Sequence, residues 1–387
     1  MISKMMNLLK LKTINMIKIF IITERRADYS RFKPIMNLIK KDDSLEYILT
    51  VTGAHIKKDM GYTKDEIIKD GFKIDYEIEM FTEDSDSGGA MVRSFARVAE
   101  QVTFCLEDAR PDLILSGFDI GANMAVTIAG AHMNIPVAHI QGGEVTGTID
   151  ESIRHAMSKF SHYHFASNED ALERLVKLGE LRERIFNVGC PSIDAILETE
   201  DDNQVLEKYN LTENDYFILL QHPVTSEINQ SERQIQITLS AIEKSNINVL
   251  IILPNNDAGY SKIIKQLKNS KIRFVESLGI SDYINLLKRS SGLIGNSSSG
   301  IHETSTFNIP TINIGSRQHG RLRPENVFDV EHDEKEIIDA IKKSIEFKNK
   351  KIKVSNPYGD GTSAKKIVSI IKELDLSNNI IQKTITY

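Results

Sequence analysis

The chain has 387 residues, 41% of them hydrophobic and 26% charged, the composition of a globular protein that is too long for one ordinary core. Its net charge of -6 argues against a surface that binds nucleic acid. The two cysteines, Cys105 and Cys190, lie far apart, which excludes a disulfide framework and is typical of a reducing cytoplasm.

The first 15 residues are rich in Met, Lys, Leu and Asn, and their lysines interrupt any apolar run. No small-residue cleavage site follows, so we reject a secretory signal and expect a short N-terminal extension. No later stretch reaches the roughly 18 apolar residues that a transmembrane helix requires. We therefore predict a cytoplasmic protein that does not enter the membrane.

Short apolar runs alternate with segments of helical periodicity along the whole chain. This alternation predicts an α/β protein with parallel sheets covered by helices on both faces. A polar stretch at about 192–214 separates the halves, so we predict two Rossmann-like domains facing a cleft, 16–195 and 196–375, between an extension at 1–15 and a tail at 376–387. The predicted strands are 17–23, 47–51, 113–116, 136–140, 163–166, 185–188, 216–221, 248–254, 272–275, 293–295 and 311–314.

Segment 139–155 concentrates ionisable groups directly after the predicted strand 136–140 and two glycines. In open α/β sheets, ligands bind outside the carboxyl ends of the strands. The pattern therefore predicts a functional site that includes Glu144 and Asp150.

An alternative stays open for Asp150. Thr148 and Glu151 have the spacing of a capping box for a helix over about 149–161. A carboxylate in the first turn of that helix would then only stabilise the helix dipole, without any chemistry.

A run of small polar residues follows the predicted strand 293–295 and opens a predicted helix. Ser297 and Ser298 belong to this run, where successive N–H groups can hold a phosphoryl anion. Glu303, one turn into the helix, is placed to accept hydrogen bonds from ribose hydroxyls. An N-cap is the alternative, but capping needs fewer small polar residues, so we favour phosphate binding.

Three other predicted strand ends carry weaker signals for an anionic ligand. Arg26 and Ser30 follow the first strand, where a guanidinium fork and a helix start suit phosphate, although a solvated basic turn explains them equally well. His222 could pair with a diphosphate or act as an acid, but a lone histidine is more often a hydrogen-bonded neighbour of the sheet. Arg317 supplies another guanidinium shortly after the predicted strand 311–314. We expect all these turns to face one cleft.

Motifs of zinc proteases, paired C-x-x-C sites and serine hydrolases are missing from the sequence. His162 and His164 alternate on one predicted strand, but no third ligand accompanies them. We therefore expect neither a metal nor another cofactor.

Taken together, seven motifs resemble those of the hydrolysing UDP-N-acetylglucosamine 2-epimerases, over about residues 17–374. The resemblance implies the glycosyltransferase-B architecture, in which two Rossmann-like domains close on a nucleotide sugar. The motifs are Arg26-Ala-Asp-Tyr-Ser30, Gly142-Gly-Glu-Val-Thr-Gly-Thr-Ile-Asp150, Ser152-Ile-Arg-His155, Gln221-His-Pro-Val-Thr225, Pro254-Asn-Asn-Asp-Ala-Gly259, Gly295-Asn-Ser-Ser298 and Gly315-Ser-Arg-Gln318.

The resemblance also implies roles for individual residues. Arg26 and Ser30 would meet UDP from the first domain, and Glu303 would bind the ribose. A base would remove the C2 proton while UDP leaves C1, and water would then add to the resulting glycal. The residues implied to hold the diphosphate and uridine are His222, Asn255, Ser297, Ser298 and Arg317, with Asp257 in the same motif as Asn255.

The sequence departs from this family's pattern at two carboxylates. The family usually has His-Gly-Asp where this chain has Ser-Gly-Phe118, with Asp119 one place later, and Glu-Gly-Gly where this chain begins with Gln141. A glutamine cannot transfer a proton, so Asp119 or Glu144 would have to compensate beside Asp150, or the chemistry differs.

We interpret the chain as a hydrolysing 2-epimerase of UDP-N-acetylglucosamine or a related UDP-acetamido sugar, for sialic-acid-type sugar synthesis. We expect a homo-oligomer, a dimer or tetramer. The alternatives are a glycosyltransferase of the same architecture that uses a UDP-sugar, a 2-epimerase of a GDP- or UDP-linked diacetamido sugar of the legionaminic acid type, a hydrolase that does not invert C2, and a non-catalytic nucleotide-sugar binder.

Overall fold

The computed structural model describes residues 16–82, 87–119, 121–254, 257 and 259–387. The predicted extension at 1–15 and the candidate ligand Asn255 lie outside the described residues. Two parallel sheets flanked by helices form the molecule, which confirms the predicted α/β class.

Residues 17–197, here called the N-terminal unit, form a seven-stranded sheet in the order β3-β2-β1-β4-β5-β6-β7. Its central strands are buried on both faces, which explains their nearly continuous apolar sequence. The strands are β1 (Ile17–Thr23), β2 (Leu45–Thr52), β3 (Tyr76–Ile78), β4 (Leu113–Gly117), β5 (Val137–Ile140), β6 (Tyr163–Ala166) and β7 (Ile185–Asn187). The helices are α1 (Arg26–Ile39), α2 (Lys64–Lys69), α3 (Gly88–Ala109), α4 (Gly121–His132), α5 (Asp150–Phe160), α6 (Glu169–Lys177) and α7 (Pro191–Leu197).

Residues 217–349, the C-terminal unit, form a six-stranded sheet in the order β10-β9-β8-β11-β12-β13, preceded by α8 (Gln204–Lys208). The strands are β8 (Phe217–Leu220), β9 (Val249–Ile252), β10 (Phe274–Val275), β11 (Gly292–Gly295), β12 (Thr311–Ile314) and β13 (Val327–Val330). The helices are α9 (Ser231–Ser245), α10 (Tyr260–Asn269), α11 (Ile280–Arg289), α12 (Ser299–His302) and α13 (Glu334–Asn349).

All eleven predicted strands are present, with ends that shift by up to two residues. The strands β3 and β13 were not predicted. Both lie at a sheet edge, are three or four residues long and are largely half-buried, so neither has the continuous apolar run by which the central strands were recognised.

The last helix, α14 (Ser363–Ile371), returns to the N-terminal unit and packs against α1 and α7. Its apolar residues Ala364, Ile367 and Ile371 are buried in the core beneath β1. The chain therefore passes between the units twice, although our division at residues 195 and 375, which assigns α14 to the second domain, stays a prediction.

Candidate active site

A cleft of about 1080 Å³ lies between the units, at the carboxyl ends of their strands. This volume lies just above the ~300–1,000 Å³ of ordinary ligand pockets, so it suits a ligand as large as a nucleotide sugar. The predicted site residues that line the cleft are Arg26, Ser30, Asp119, Gln141, Glu144, Asp150, His222, Ser297, Ser298, Glu303 and Arg317.

The turn after β11 brings the predicted phosphate-binding serines into the cleft. Gly295 has a φ of 128°, and a Cβ there would lie 2.1 Å from the carbonyl oxygen of Leu220, so only glycine permits this turn. Ser297 and Ser298 follow directly. The predicted helix is only the four residues of α12, so its dipole can add little to the binding of a phosphate. A phosphate here would be held mainly by backbone N–H groups and hydroxyls.

Glu303 lies at the C-terminal cap of α12 and not within it, which corrects the predicted position. Its carboxylate accepts a hydrogen bond of 2.6 Å from the Ser299 hydroxyl, which also contacts the hydroxyl of Tyr283. Burial raises the pKa of the Glu303 carboxyl. Glu303 therefore lines the cleft as a hydrogen-bonded carboxyl.

His222 is buried at the end of β8, and its backbone exchanges hydrogen bonds of 2.7 and 2.9 Å with the side chain of Asn296. Burial, assisted by the nearby Arg317 cation, lowers the pKa of His222 to about 3. The imidazole is therefore neutral near pH 7 and suits hydrogen bonding to a diphosphate better than ionic pairing. Arg317 also lies 3.6 Å from Asp257.

The start of α1 reaches across the cleft. Arg26 donates to the hydroxyl of Ser277 at 3.0 Å and to the carbonyl of Leu278 at 3.2 Å, and it pairs with Glu66 in its own unit. Arg25, which sequence reasoning did not single out, lies 3.5 Å from Asp257. The Ser30 hydroxyl donates to its own helix, at the Ala27 carbonyl.

Asp150 is the first residue of α5, within a residue of the predicted start. The predicted capping box does not form as expected, because the Thr148 hydroxyl accepts from the N–H of Asp150 at 3.3 Å and the Glu151 carboxylate accepts from the N–H of Thr146 at 2.6 Å. The Asp150 carboxylate accepts no hydrogen bond from any described residue and lines the cleft. The side chain that binds an N–H at the start of α5 is therefore that of Thr148 and not that of Asp150.

Glu144 is only 3% exposed, and donors surround its carboxylate. One oxygen accepts from the Ser167 hydroxyl and from Asn168 at 3.1 Å. The other lies 3.6 Å from His302 and 3.7 Å from Arg321, both in the C-terminal unit. Burial opposes ionisation, but His302, Arg321 and Ser167 outweigh it and hold the pKa of Glu144 far below its ordinary value.

A fully buried arginine, Arg154 on α5, connects the loops behind β4 and β5. It pairs with Asp119 and donates to the carbonyl of Glu144 at 3.0 Å. Burial raises the pKa of Asp119 although Arg154 opposes the shift, and Asp150 adds to it. Asp119 and Asp150 are thus near enough to influence each other, and sequence spacing did not indicate that Arg154 lies between their loops.

Phe118 and Gln141, at the two departures from the family pattern, both adopt left-handed backbone conformations, with φ of 69° and 61°. The Phe118 ring packs edge-on against Phe32, 4.8 Å between centroids, beneath the guanidinium of Arg31. Gln141 accepts from Arg31 at 3.1 Å and donates to the sulfur of Cys190 at 2.9 Å. No sequence signal had identified Arg31 or Cys190 as partners in this cleft.

Among the described residues, no cluster of three or more His, Cys, Asp or Glu side chains could hold a metal ion. His164 instead contacts Glu180 at 3.0 Å. The helices described here also include none that is long and apolar enough to cross a membrane.

Comparison with known proteins gives a consistent result. A family model for UDP-N-acetylglucosamine 2-epimerase matches residues 37–372. A UDP-N,N'-diacetylbacillosamine 2-epimerase (hydrolyzing) from Legionella pneumophila is 33% identical over 96% of this chain and 99% of its own. A UDP-N-acetylglucosamine 2-epimerase from Neisseria meningitidis serogroup B is 31% identical over 95% of this chain and 98% of its own.

The fold has close counterparts among solved structures. A crystal structure of UDP-GlcNAc 2-epimerase from Neisseria meningitidis bound to UDP-GlcNAc matches with a TM-score of 0.79 at 19% identity, over 92% of this chain and 100% of that chain. This likeness confirms the glycosyltransferase-B type of architecture. Given the family model and the relatives above 30% identity, the chain belongs to the UDP-N-acetylglucosamine 2-epimerase family.

Proposed function

We propose that this protein is a hydrolysing 2-epimerase that converts a UDP-linked acetamido sugar into UDP and the free 2-epimer. The observation that carries the proposal is the Asp150 carboxylate, which lines the interunit cleft and accepts no hydrogen bond from the described residues. It is therefore open to a sugar bound opposite the serine-rich turn of the C-terminal unit.

The nucleotide would bind mainly to the C-terminal unit. Ser297, Ser298 and neutral His222 offer hydrogen-bond donors for the diphosphate, and Arg317 offers a cation. Glu303 would accept hydrogen bonds from the ribose. Arg26 and Ser30 would approach from the N-terminal unit, and Asp257 would orient Arg317. Asn255, outside the described residues, keeps the role that the family resemblance implies.

The proposed reaction has two steps. Asp150 takes the proton from C2 while the bond from C1 to the UDP oxygen breaks, so the C2–H electron pair becomes the C1–C2 double bond of a glycal and UDP leaves with the other pair. Water then adds its hydroxyl to C1, and a proton reaches C2 on the opposite face. That proton needs an acid, and our candidate is Asp119, whose pKa is raised by burial and which lines the same cleft as Asp150.

The substrate's sugar would carry one acetamido group or two. The Legionella relative is named for a diacetylbacillosamine derivative and the Neisseria relative for N-acetylglucosamine, so both UDP-sugars are substrates to test. Phe118 and Gln141 stand where the family usually has acidic residues, and Asp119, one place after Phe118, lines the cleft.

Incubation of the purified protein with each UDP-sugar in deuterated water, followed by NMR, tests the proposal. Free manno-configured sugar with deuterium at C2 supports it. Free sugar with unchanged configuration and no deuterium would indicate simple hydrolysis, and an epimer still linked to UDP would indicate a non-hydrolysing enzyme. Turnover that requires an added acceptor would favour a glycosyltransferase.

A further inference from the structure

The loop between β5 and α5 touches the C-terminal unit at several points. The N–H of Gly147 donates to the carbonyl of Arg317 at 3.0 Å, and Arg321 donates to the carbonyl of Val145 at 2.8 Å. A Cβ at Gly147 would lie 2.3 Å from the carbonyl oxygen of Ser316, so the two backbones approach as closely as glycine allows. The loop that leads into Asp150 is therefore shaped partly by the other unit.

Glu144 lies in this loop, and its two carboxylate oxygens face different units. Ser167 and Asn168 of its own unit bind the first oxygen. The second faces His302 at 3.6 Å and Arg321 at 3.7 Å, just beyond hydrogen-bonding distance. Neither ring nitrogen of His302 has a hydrogen-bond partner among the described residues, and the ring is 2% exposed. A slightly closer approach of the units would bring the His302 imidazole within hydrogen-bonding distance of Glu144 and would shorten the ion pair with Arg321, whose Nε already donates to Val145.

These partners belong to the two segments proposed to hold the nucleotide. His302 ends the short helix that follows Ser297 and Ser298, and Arg321 lies four residues after Arg317. A ligand that draws those segments inward would therefore draw His302 and Arg321 toward Glu144.

We propose that Glu144 is a positioning residue: by bonding His302 and Arg321 when the nucleotide is bound, it fixes the loop that places Asp150 at the sugar. This inference rests on the proposed function, because it takes UDP as the ligand of the C-terminal unit. Nucleotide binding and the placement of Asp150 are then coupled, since Glu144 makes contacts in the closed form that the open form lacks.

The alternative role for Glu144, transfer of the C2 proton, agrees less well with its surroundings. Ser167 and Asn168 already donate hydrogen bonds to one of its carboxylate oxygens, and Arg321, 3.7 Å from the other oxygen, favours the ionised form. Burial opposes ionisation, but these neighbours hold the pKa of Glu144 below its ordinary value, so it is a poor base near neutral pH. Its carboxylate is also the more deeply buried of the two carboxylates on this loop, since Asp150 is partly exposed.

Hydrogen exchange measured by mass spectrometry, with and without saturating UDP, tests the coupling without requiring turnover. In the parent, UDP should slow exchange both in 295–303 and in 144–154. In Glu144→Gln, protection of 295–303 should remain, while the protection of 144–154 by UDP should fall by about five-fold or more. Arg321→Met, which removes the partner from the other unit, should give the same loss.

Glu180→Gln is a matched control. Glu180 is also buried in the N-terminal unit and contacts a histidine, His164 at 3.0 Å, but it does not line the cleft. This variant should lose stability yet keep the protection of 144–154 by UDP. The comparison therefore distinguishes a specific effect of Glu144 on the loop from a general loss of stability.

The inference would be overturned if UDP still fully protected 144–154 in Glu144→Gln or in Arg321→Met. It would also be overturned if Glu180→Gln lost as much of the protection of 144–154 as Glu144→Gln does. If the parent binds UDP and protects 295–303 but never 144–154, the coupling is absent while the proposed nucleotide site survives. If the parent does not bind UDP at all, the proposed function fails first.

Discussion

At the scale of single residues, the surroundings give three nearby carboxylates different properties. Glu144 is held ionised by neighbours from both units, Asp119 is drawn toward the protonated form by burial, and Asp150 accepts no hydrogen bond from the described residues. A general base must be reachable by the substrate, and of these three carboxylates only that of Asp150 is without a hydrogen bond from the described residues. This difference, which spacing along the chain does not show, supports our choice of Asp150 as base.

Asp150→Asn should retain UDP binding and lose about 10²–10⁴-fold in kcat, because the amide keeps the shape of the side chain but cannot accept the proton. Steady-state kinetics and calorimetry with UDP measure the two quantities. Asp170→Asn is the control, since Asp170 also lies in the first turn of a helix but pairs with Arg174 on the surface. Parent-like turnover in Asp150→Asn would mean that this aspartate only stabilises the start of α5.

Glu24 provides a test by pH. Burial raises the pKa of Glu24 to about 7, Arg25 opposes the shift, and Asp28 adds to it. The unfolded chain titrates near ~4.3. The folded protein therefore holds the proton more tightly, and the stability that this contributes is present below the unfolded pKa and is lost as pH rises through about 7. The carboxylate accepts from the N–H of Ala122, a bond that glutamine can keep.

We therefore expect Glu24→Gln to gain stability relative to the parent as pH rises from about 5 to 8, by on the order of 2 kcal/mol. Urea unfolding at both pH values measures this difference. A free-energy difference that does not change with pH would show that Glu24 is ionised throughout in the folded protein.

At the scale of elements, the central strands were predictable because each is an apolar run buried on both faces. The meeting of their carboxyl ends at one edge was also predictable, and the structure brings Asp150, His222 and Ser297 together in one cleft there. The backbone turns after β4 and β5 were not predictable. Phe118 and Gln141 occupy left-handed conformations that only the packing of neighbouring elements imposes.

Gln141, in the turn after β5, stands where the family usually has a glutamate, and this position supports a prediction. Gln141→Glu should fold and raise kcat by less than about ten-fold, far below what a working general base contributes. The reason is Arg31, which lies 3.1 Å from the Gln141 oxygen and would pair with the new charge. Kinetics of this variant, alone and combined with Arg31→Gln, measure the effect. A large increase in the single variant would show that the ion pair does not restrain the carboxylate.

At the scale of the whole molecule, two units joined by two chain crossings enclose the candidate site. Contacts such as Arg25 with Asp257 and Gly147 with Arg317 already bridge the cleft, while the Glu144 contacts remain slightly too long for hydrogen bonds. Long-range contacts of this kind join residues more than a hundred positions apart, so no local pattern in the sequence predicted them. The expected dimer or tetramer likewise stays a prediction.

UDP should favour the closed arrangement by its differential affinity, and X-ray scattering should show a smaller radius of gyration at saturation. Uridine is the matched control ligand, because it lacks the phosphates proposed to draw Arg317 and the serine-rich turn inward. An unchanged radius with UDP would mean that the cleft is already closed in solution, or that UDP contacts one unit alone.

The return of α14 to the N-terminal unit has a consequence for the order in which the protein can fold during its synthesis. The last strand of that unit ends at Asn187, but Ala364, Ile367 and Ile371 must still reach its core. At about 5–20 residues per second, the ribosome needs roughly 10–35 s to reach them. Throughout that interval the nascent N-terminal unit exposes an apolar surface on α1, so chaperones have a defined period in which to bind it.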